Sequence, residues 1–471
     1  MILNLEKISP FSWRIKKTPP MNAEVIIFAS EKLLENIKKD KSIDQLIDAA
    51  CLPDVISPVL GMPDIHQGFG LPIGGVMATR GLISAGGVGM DINCGVRLLL
   101  SNLEYDPKIL TTEVLRELIE RISQFIPLGI GGRQKANNLD LSLKKVAEEG
   151  VNFLVKKGLA TPEDLESIEE NGRMEGASFE ALTKKAIKRA QNQLGTLGSG
   201  NHFIEIQRVT KIFDLQIAQQ FNLHENQICV MLHTGSRALG HQTCLDYTEI
   251  LWQAKNYYGI NIPNKGLAAL PVSTNEGKNY FAAMAACVNF AFANRQVITH
   301  FIRQAWQEIF GSQAELELLY DIAHNIAKWE SFDSAQDKVL IHRKGATRAL
   351  PPGHPQNPQK FINSGHPALI PGSMGTASYV IVGTAKNKET FHSVNHGAGR
   401  IMSRRQAFRQ ISQKEFKESM KGVLYNLPYY KLADEAPSAY KDIEEVVNIL
   451  AKAGIAKKVA QPKPLAVAKG A

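Results

Sequence analysis

The chemistry in this chain is carried by histidines set in glycine-rich text. There are twelve histidines, and most stand beside Gly, Asn, Ser or Arg in stretches that read as loops. Examples are Asn201-His202, His233-Thr234-Gly235-Ser236-Arg237, His324-Asn325, His342-Arg343-Lys344-Gly345 and His396-Gly397-Ala398-Gly399-Arg400. One such histidine is usually structural; several together point to a site, because glycine lets backbone approach a ligand closely. Asp91 and Cys94 stand three apart between Gly89 and Gly95. A carboxylate and a thiolate at that spacing converge on one centre if the segment turns, although Cys94 also fits a plain buried thiol. A mixed S/N/O donor set indicates a divalent metal; ligand softness favours zinc, while manganese prefers harder oxygen donors, so the metal stays open.

Phosphate chemistry is the second theme. Pro371-Gly372-Ser373-Met374-Gly375-Thr376-Ala377-Ser378 offers backbone N–H groups and hydroxyls for an anion. In the 396–400 block an imidazole, a possible nucleophile toward phosphorus, lies next to an arginine, with Arg404 and Arg405 following. Arg343, Lys344 and Arg348 form another basic cluster, read with the first as contacts for the phosphates of a polyanion such as nucleic acid. The chain has no G-x-x-x-x-G-K-[ST], no G-x-G-x-x-G and no Asp-Gly dipeptide. Walker-type and lysine-nucleophile nucleotide chemistry are therefore excluded, and any nucleotide must use another nucleophile.

The elements that must position these residues alternate along the chain. Residues 25–29 read as a strand before a Lys-rich helical segment to 50, and 57–100 as short strands joined by tight glycine turns. Residues 108–126, 141–192, 241–258 and 276–310 have helical spacing, the last as a central buried helix; Thr161-Pro162 is a helix start. Residues 193–209, 227–237 and 338–400 return to strand and loop, and 401–422 read as a basic helix. By composition alone 452–471, with five lysines, no acid and prolines at 462 and 464, is a frayed tail. Because the Gly/His blocks are scattered between helices, the expectation is one α+β, mixed α/β domain over 1–471, its site gathered from distant loops.

Composition bounds the class. The chain of 471 residues is 44% hydrophobic, and 54 Lys and Arg against 46 Asp and Glu leave +8, which suits a polyanionic partner. Five sparse cysteines argue for a reducing compartment. With no signal-type apolar run at its start and no membrane-length segment, a cytoplasmic protein without a membrane partner is expected.

Eight blocks, GMPDIHQGFGLPIGG, GGVGMDINCGVR, GTLGSGNHFIEI, HTGSRALGHQ, YDIAHNIAKWE, HRKGATRALPPGHP, IPGSMGTASYVIVG and HGAGRIMSRR, resemble the RtcB family of RNA ligases in order, over roughly residues 57–405. The closing APSAYKD and terminal Lys-Gly are similar too. The resemblance implies joining of RNA 2′,3′-cyclic phosphate or 3′-phosphate ends to 5′-hydroxyl ends, with GTP and two Mn²⁺, in tRNA splicing or RNA repair. It implies guanylylation of His396 and metal ligands Asp91, Cys94, His202, His233 and His324, the cysteine bridging both ions. The implied nucleotide pocket comprises Asn201, His202, Phe203, Ile204, Glu205, His324, Asn325, Pro371, Gly372, Ser373, Met374, Ser378, His396, Gly397, Ala398, Gly399, Tyr440 and Lys469. A monomer acting on tRNA halves or broken RNA is expected, and an archease-like activating protein is compatible with it. Two competing readings remain: a two-metal phosphoesterase, which would not need the His396 loop, and a non-catalytic RNA-binding scaffold, which would need neither nucleophile nor ligands.

Overall fold

A computed structural model describes residues 5–134, 139, 141–331 and 338–471. Two large sheets dominate it. The first has seven strands in the order Leu5–Ser9, Ser12–Ile15, Val25–Phe28, Val55–His66, Ile73–Thr79, Lys338–Lys344 and Asn325–Ser331. The second has eight: Leu316–Ala323, Gly95–Glu104, Gln227–Thr234, Phe203–Ile212, Ala456–Ala468, Tyr379–Gly383 and Ala368–Ile370 in line, with Leu424–Tyr425 pairing Ala456–Ala468 off that path. The fold is thus mixed α and β, as expected. Among the named strand pairs only Val25–Phe28 with Val55–His66 and Leu424–Tyr425 with Ala456–Ala468 run parallel.

The expected central helix spans Asn275–Phe310, about 54 Å at the α-helical rise. Thr274 caps its start and Gly311 ends it. It buries Ala, Met, Phe and Ile side chains in the largest core cluster, together with Asn289, Asn294 and Arg295. Among the described residues no helix is long and apolar enough to cross a membrane.

Three expectations need correction. Residues 141–192 are not continuously helical: helices Leu143–Glu149 and Val151–Lys156 part at Gly150, and Pro162–Glu166 and Lys184–Ala190 follow separately. The predicted start at Thr161 is present as a full capping box. The basic segment after 400 forms Arg404–Gln410 and Gln413–Ser419, divided where Ser412 caps the second helix. Most consequentially, 452–471 is no tail. Ala456–Ala468 is an interior strand of the eight-stranded sheet, paired with Phe203–Ile212 and Tyr379–Gly383. Its register shifts on either side of Pro462–Pro464, so the prolines sit at irregularities in the ladder where a missing N–H is tolerated.

Candidate active site

Sheet register gathers the site. Gly95 pairs with both Ala323 and Thr234, and Phe203 pairs with His233. Cys94, His202, His233 and His324 therefore emerge at one end of the eight-stranded sheet. His324 stands where the chain leaves that sheet for the seven-stranded one. Ala468 pairs with Ile204, which sets Lys469 beside Phe203. The ribbon of Ala346–Arg348 and Ser393–Asn395 delivers His396 to the same place.

The 91–94 segment does turn. The Cys94 N–H donates to the Asp91 carbonyl at 2.9 Å, and Asn93 sits in the left-handed region at φ 51°. The long helix fixes this turn: Arg295 Nη1 donates to the Asn93 and Thr234 carbonyls at 2.8 Å each, while Asp321 neutralises the Arg295 guanidinium. Asp91, Cys94 and His202 form one triad of converging donors and Cys94, His233 and His324 another, with Cys94 common to both.

Donor chemistry in this cluster fits cations. The His202 Nδ1–H donates to the Leu197 carbonyl at 3.0 Å, so its Nε2 carries the lone pair. That Nε2 faces Asp91 Oδ2 at 2.9 Å and Cys94 Sγ at 3.4 Å. Nε2 atoms of His233 and His324 lie 3.2 Å apart, and Cys94 Sγ is 3.2 Å from His233 Nε2. Burial holds both of these imidazoles well below the usual histidine range, hence neutral, and burial and the Asp91 carboxylate push the Cys94 thiol up. Imidazole nitrogens, a sulfur and a carboxylate oxygen converging at contact distance make a donor set that suits a divalent cation. Two overlapping triads match a two-cation centre sharing a thiolate.

His396 lies over this cluster, its ring centroid 5.0 Å from that of His324. The Nδ1–H donates to Asp64 Oδ2 at 2.6 Å, and the same oxygen accepts the backbone N–H groups of His396 at 3.0 Å and Gly397 at 3.3 Å. A carboxylate held by Nδ1–H leaves the lone pair on Nε2. Gly399, at φ 74°, is required: a Cβ there would meet the Asp64 carbonyl oxygen at 2.1 Å. Asp64 is wholly buried and was missed from sequence, its carboxylate lying in the apolar-flanked block Met62-Pro63-Asp64-Ile65. The signal was present: a buried carboxylate in such text needs a partner.

Together these groups line a cavity of about 370 Å³. Of the residues singled out from sequence, Asp91, Cys94, Asn201, Phe203, His233, His324, Asn325, Pro371 to Met374, His396 to Gly399, Tyr440 and Lys469 line it. His202 stands at the cation cluster. Glu205 and Ser378 lie just behind the wall: Gln207 Nε2 donates to both, at 2.7 and 3.2 Å, and the Ser378 hydroxyl accepts the Gly372 N–H at 3.2 Å. Burial pushes the Glu205 carboxyl up to about 8. Ile204 is not brought to the cavity; on the alternating strand its side chain faces the opposite core, with Ile206. Lys344, Arg400 and Arg404, expected as phosphate contacts, line the cavity too, whereas besides Asp64 sequence reasoning missed His66, Phe69 and Glu435 as site residues. The expected RNA contacts Arg343 and Arg348 are elsewhere. Arg343 is fully buried and paired with Glu330; Arg348 is paired with Glu169 and Glu170.

The sequence profile of the family described as tRNA-splicing ligase RtcB matches residues 45–470. The chain belongs to the RtcB family. A tRNA-splicing ligase RtcB of Thermococcus kodakarensis is 44% identical over 99% of both chains, and one of Archaeoglobus fulgidus 43% over 99% of both. An RNA-splicing ligase RtcB of Mycobacterium tuberculosis is 42% identical over 90% of this chain and 100% of its own length. Likeness to the Thermococcus and Archaeoglobus proteins covers 99% of this chain, the N-terminal strands and the final strand included.

Proposed function

We propose that the chain is a GTP- and manganese-dependent RNA ligase that joins RNA 2′,3′-cyclic phosphate or 3′-phosphate ends to 5′-hydroxyl ends, as in tRNA splicing. The observation that carries this reading is the Asp64–His396 pair, which ties down Nδ1 and leaves Nε2 free at a cavity lined by glycine, hydroxyl and cationic groups and next to a cluster of metal-ligating side chains. A hydrolase would need the cluster but not the buried carboxylate that orients His396.

In this reading Asp91, Cys94, His202, His233 and His324 hold two Mn²⁺. Bound there, such ions stabilise charge building on phosphate oxygens. Water first opens the cyclic end, its oxygen bonding to phosphorus as the P–O2′ bond breaks, which leaves a 3′-phosphate and a 2′-hydroxyl. His396 Nε2 attacks the α-phosphorus of GTP, forming an N–P bond as pyrophosphate leaves, while Asp64 stabilises the charge the ring acquires. An oxygen of the RNA 3′-phosphate then attacks that phosphorus and frees His396. The 5′-hydroxyl attacks the RNA 3′-phosphorus, and GMP leaves as its proton passes to solvent or a neighbouring base. Asn201, Phe203, Glu205, the 371–374 turn, Ser378, the 396–399 loop, Tyr440 and Lys469 hold the nucleotide; Arg404 at the mouth meets RNA. One domain acting as a monomer on cytoplasmic RNA completes the proposal.

Incubation with labelled GTP and Mn²⁺ should leave an acid-labile label on the protein, and a 3′-phosphate RNA should join a 5′-hydroxyl RNA. Cleavage of cyclic ends without label or joining would establish the hydrolase instead.

A further inference from the structure

The segment 433–440 contributes Glu435 and Tyr440 to the wall of the cavity. The Glu435 carboxylate accepts the Tyr440 hydroxyl at 2.5 Å and Arg400 Nη1 at 3.2 Å. Arg404 Nη2 lies 3.5 Å from it and Lys469 Nζ 3.6 Å. The Glu435 side chain is only 4% exposed, and burial, which would raise its carboxyl, is outweighed by Lys469, Arg404 and Arg400, which hold it below the usual range. Three cations and a phenol thus converge on one buried anion.

These four partners come from three distant parts of the chain, and all line the cavity. Lys469 ends the final strand, Arg400 and Arg404 follow the His396 loop, and Tyr440 closes the 433–440 segment. Nothing in local sequence sets the spacing between them. Like charges a few ångströms apart in a poorly solvated wall repel, so without the carboxylate the array would spread. Arg400 shows how fully it is held: Nε donates to the Met402 carbonyl at 3.0 Å and Nη2 to the Asp434 carbonyl at 2.7 Å. It is a strut rather than a free fork. Lys469, only 2% exposed, has Glu435 as its ion-pair partner.

We propose that Glu435 is a positioning residue for nucleotide binding: it fixes the Lys469 ammonium and the Tyr440 ring at the spacing the bound nucleotide needs. The inference rests on the reading of this cavity as the GTP site. Glu435 then acts on occupancy, whereas Asp64 acts on the attacking nitrogen, and the two separate kinetically.

The test is the GTP dependence of covalent labelling in the full chain. Glu435→Gln, which keeps the shape and removes the charge, should raise the half-saturating GTP concentration about 10-fold, the scale of one charge-assisted contact. The rate at saturating GTP should stay within about threefold. Glu435→Asp should recover part of the loss. In a Lys469→Met background Glu435→Gln should add no more than about threefold, the share carried by Tyr440, because Glu435 and Lys469 act as a unit. An unmoved half-saturation, a loss confined to the saturating rate, or full additivity with Lys469→Met would each overturn the inference. Should Glu435→Gln not fold, Tyr440→Phe removes only the hydroxyl Glu435 holds; it should shift half-saturation about threefold, and no shift overturns the inference. Absence of label in the wild type overturns the GTP reading and this inference together; label in the wild type with an unmoved Glu435→Gln overturns this inference alone.

Discussion

Two buried polar regions of this molecule look alike in sequence and differ in kind. Behind the cavity, Glu169, Glu170, Lys328, Glu330, Arg343 and Arg348 form a closed network in which each charge has a partner: Lys328 with both Glu169 and Glu170, Arg343 with Glu330, Arg348 with Glu169 and Glu170. At the cavity, Asp91, Cys94, His202, His233 and His324 instead bring their ligand atoms together in two overlapping triads suited to a cation. A buried charge closed by an internal ion pair serves stability; a convergent set of metal-ligating atoms is suited to a ligand.

The comparison breaks most sharply at His396. His396→Ala should lower GMP labelling and joining by at least about 10³-fold with little change in melting temperature, while RNA already guanylylated at its 3′ end should still be sealed. Retained labelling would remove His396 as nucleophile. Cys94→Ala should empty both triads at once, seen as metal content falling toward zero in a folded protein, whereas Cys51, Cys244 and Cys287 should accept Ser or Ala at full occupancy. In the closed network the effect moves to stability: Arg343→Ala strands Glu330 and should cost about 3–5 kcal/mol in denaturant unfolding. If instead Arg343→Ala weakened RNA binding at unchanged stability, the two regions would not differ as described. Asp64→Asn should slow labelling about 10- to 100-fold, the scale of losing a group that orients a histidine, without displacing metal. The smallest effect is at Arg404, 52% exposed at the mouth. Arg404→Gln should weaken single-stranded RNA a few-fold regardless of sequence and flatten the log–log salt slope by about 0.7. Superimposable salt curves would return Arg404 to the surface.

What could be read from sequence follows the same divide. Residues flanked by glycine at the end of a strand kept their local signature, so the ligand cluster and the His396 loop were visible, as was the Asn275–Phe310 helix from its apolar periodicity. Arg348 was misread because its partners are distant in sequence: it meets Glu169 across the whole central helix, and no local pattern announces that pairing. Arg343 was misread because its partner Glu330 lies on the neighbouring strand, and the register that buries the pair is not written in the basic block itself. Asp64 hid in an apolar block, since its meaning depends on residue 396. The final strand was misread because prolines and lysines dominate its text, while its burial follows only from having neighbours on both sides.

That final strand also orders events at the ribosome. Ile204 to Ile212 and Val380 to Gly383 wait for residues 456–468 before their edges are joined. A nascent chain that has just passed residue 450 already carries His396, Asp64 and the cluster of Asp91, Cys94, His202, His233 and His324, yet its sheet is split and offers two open edges to other chains. Lys469 then completes the cavity wall as the sheet closes. Assembly of the cavity is thereby tied to synthesis of this strand, and a chain cut short before it is an aggregation hazard.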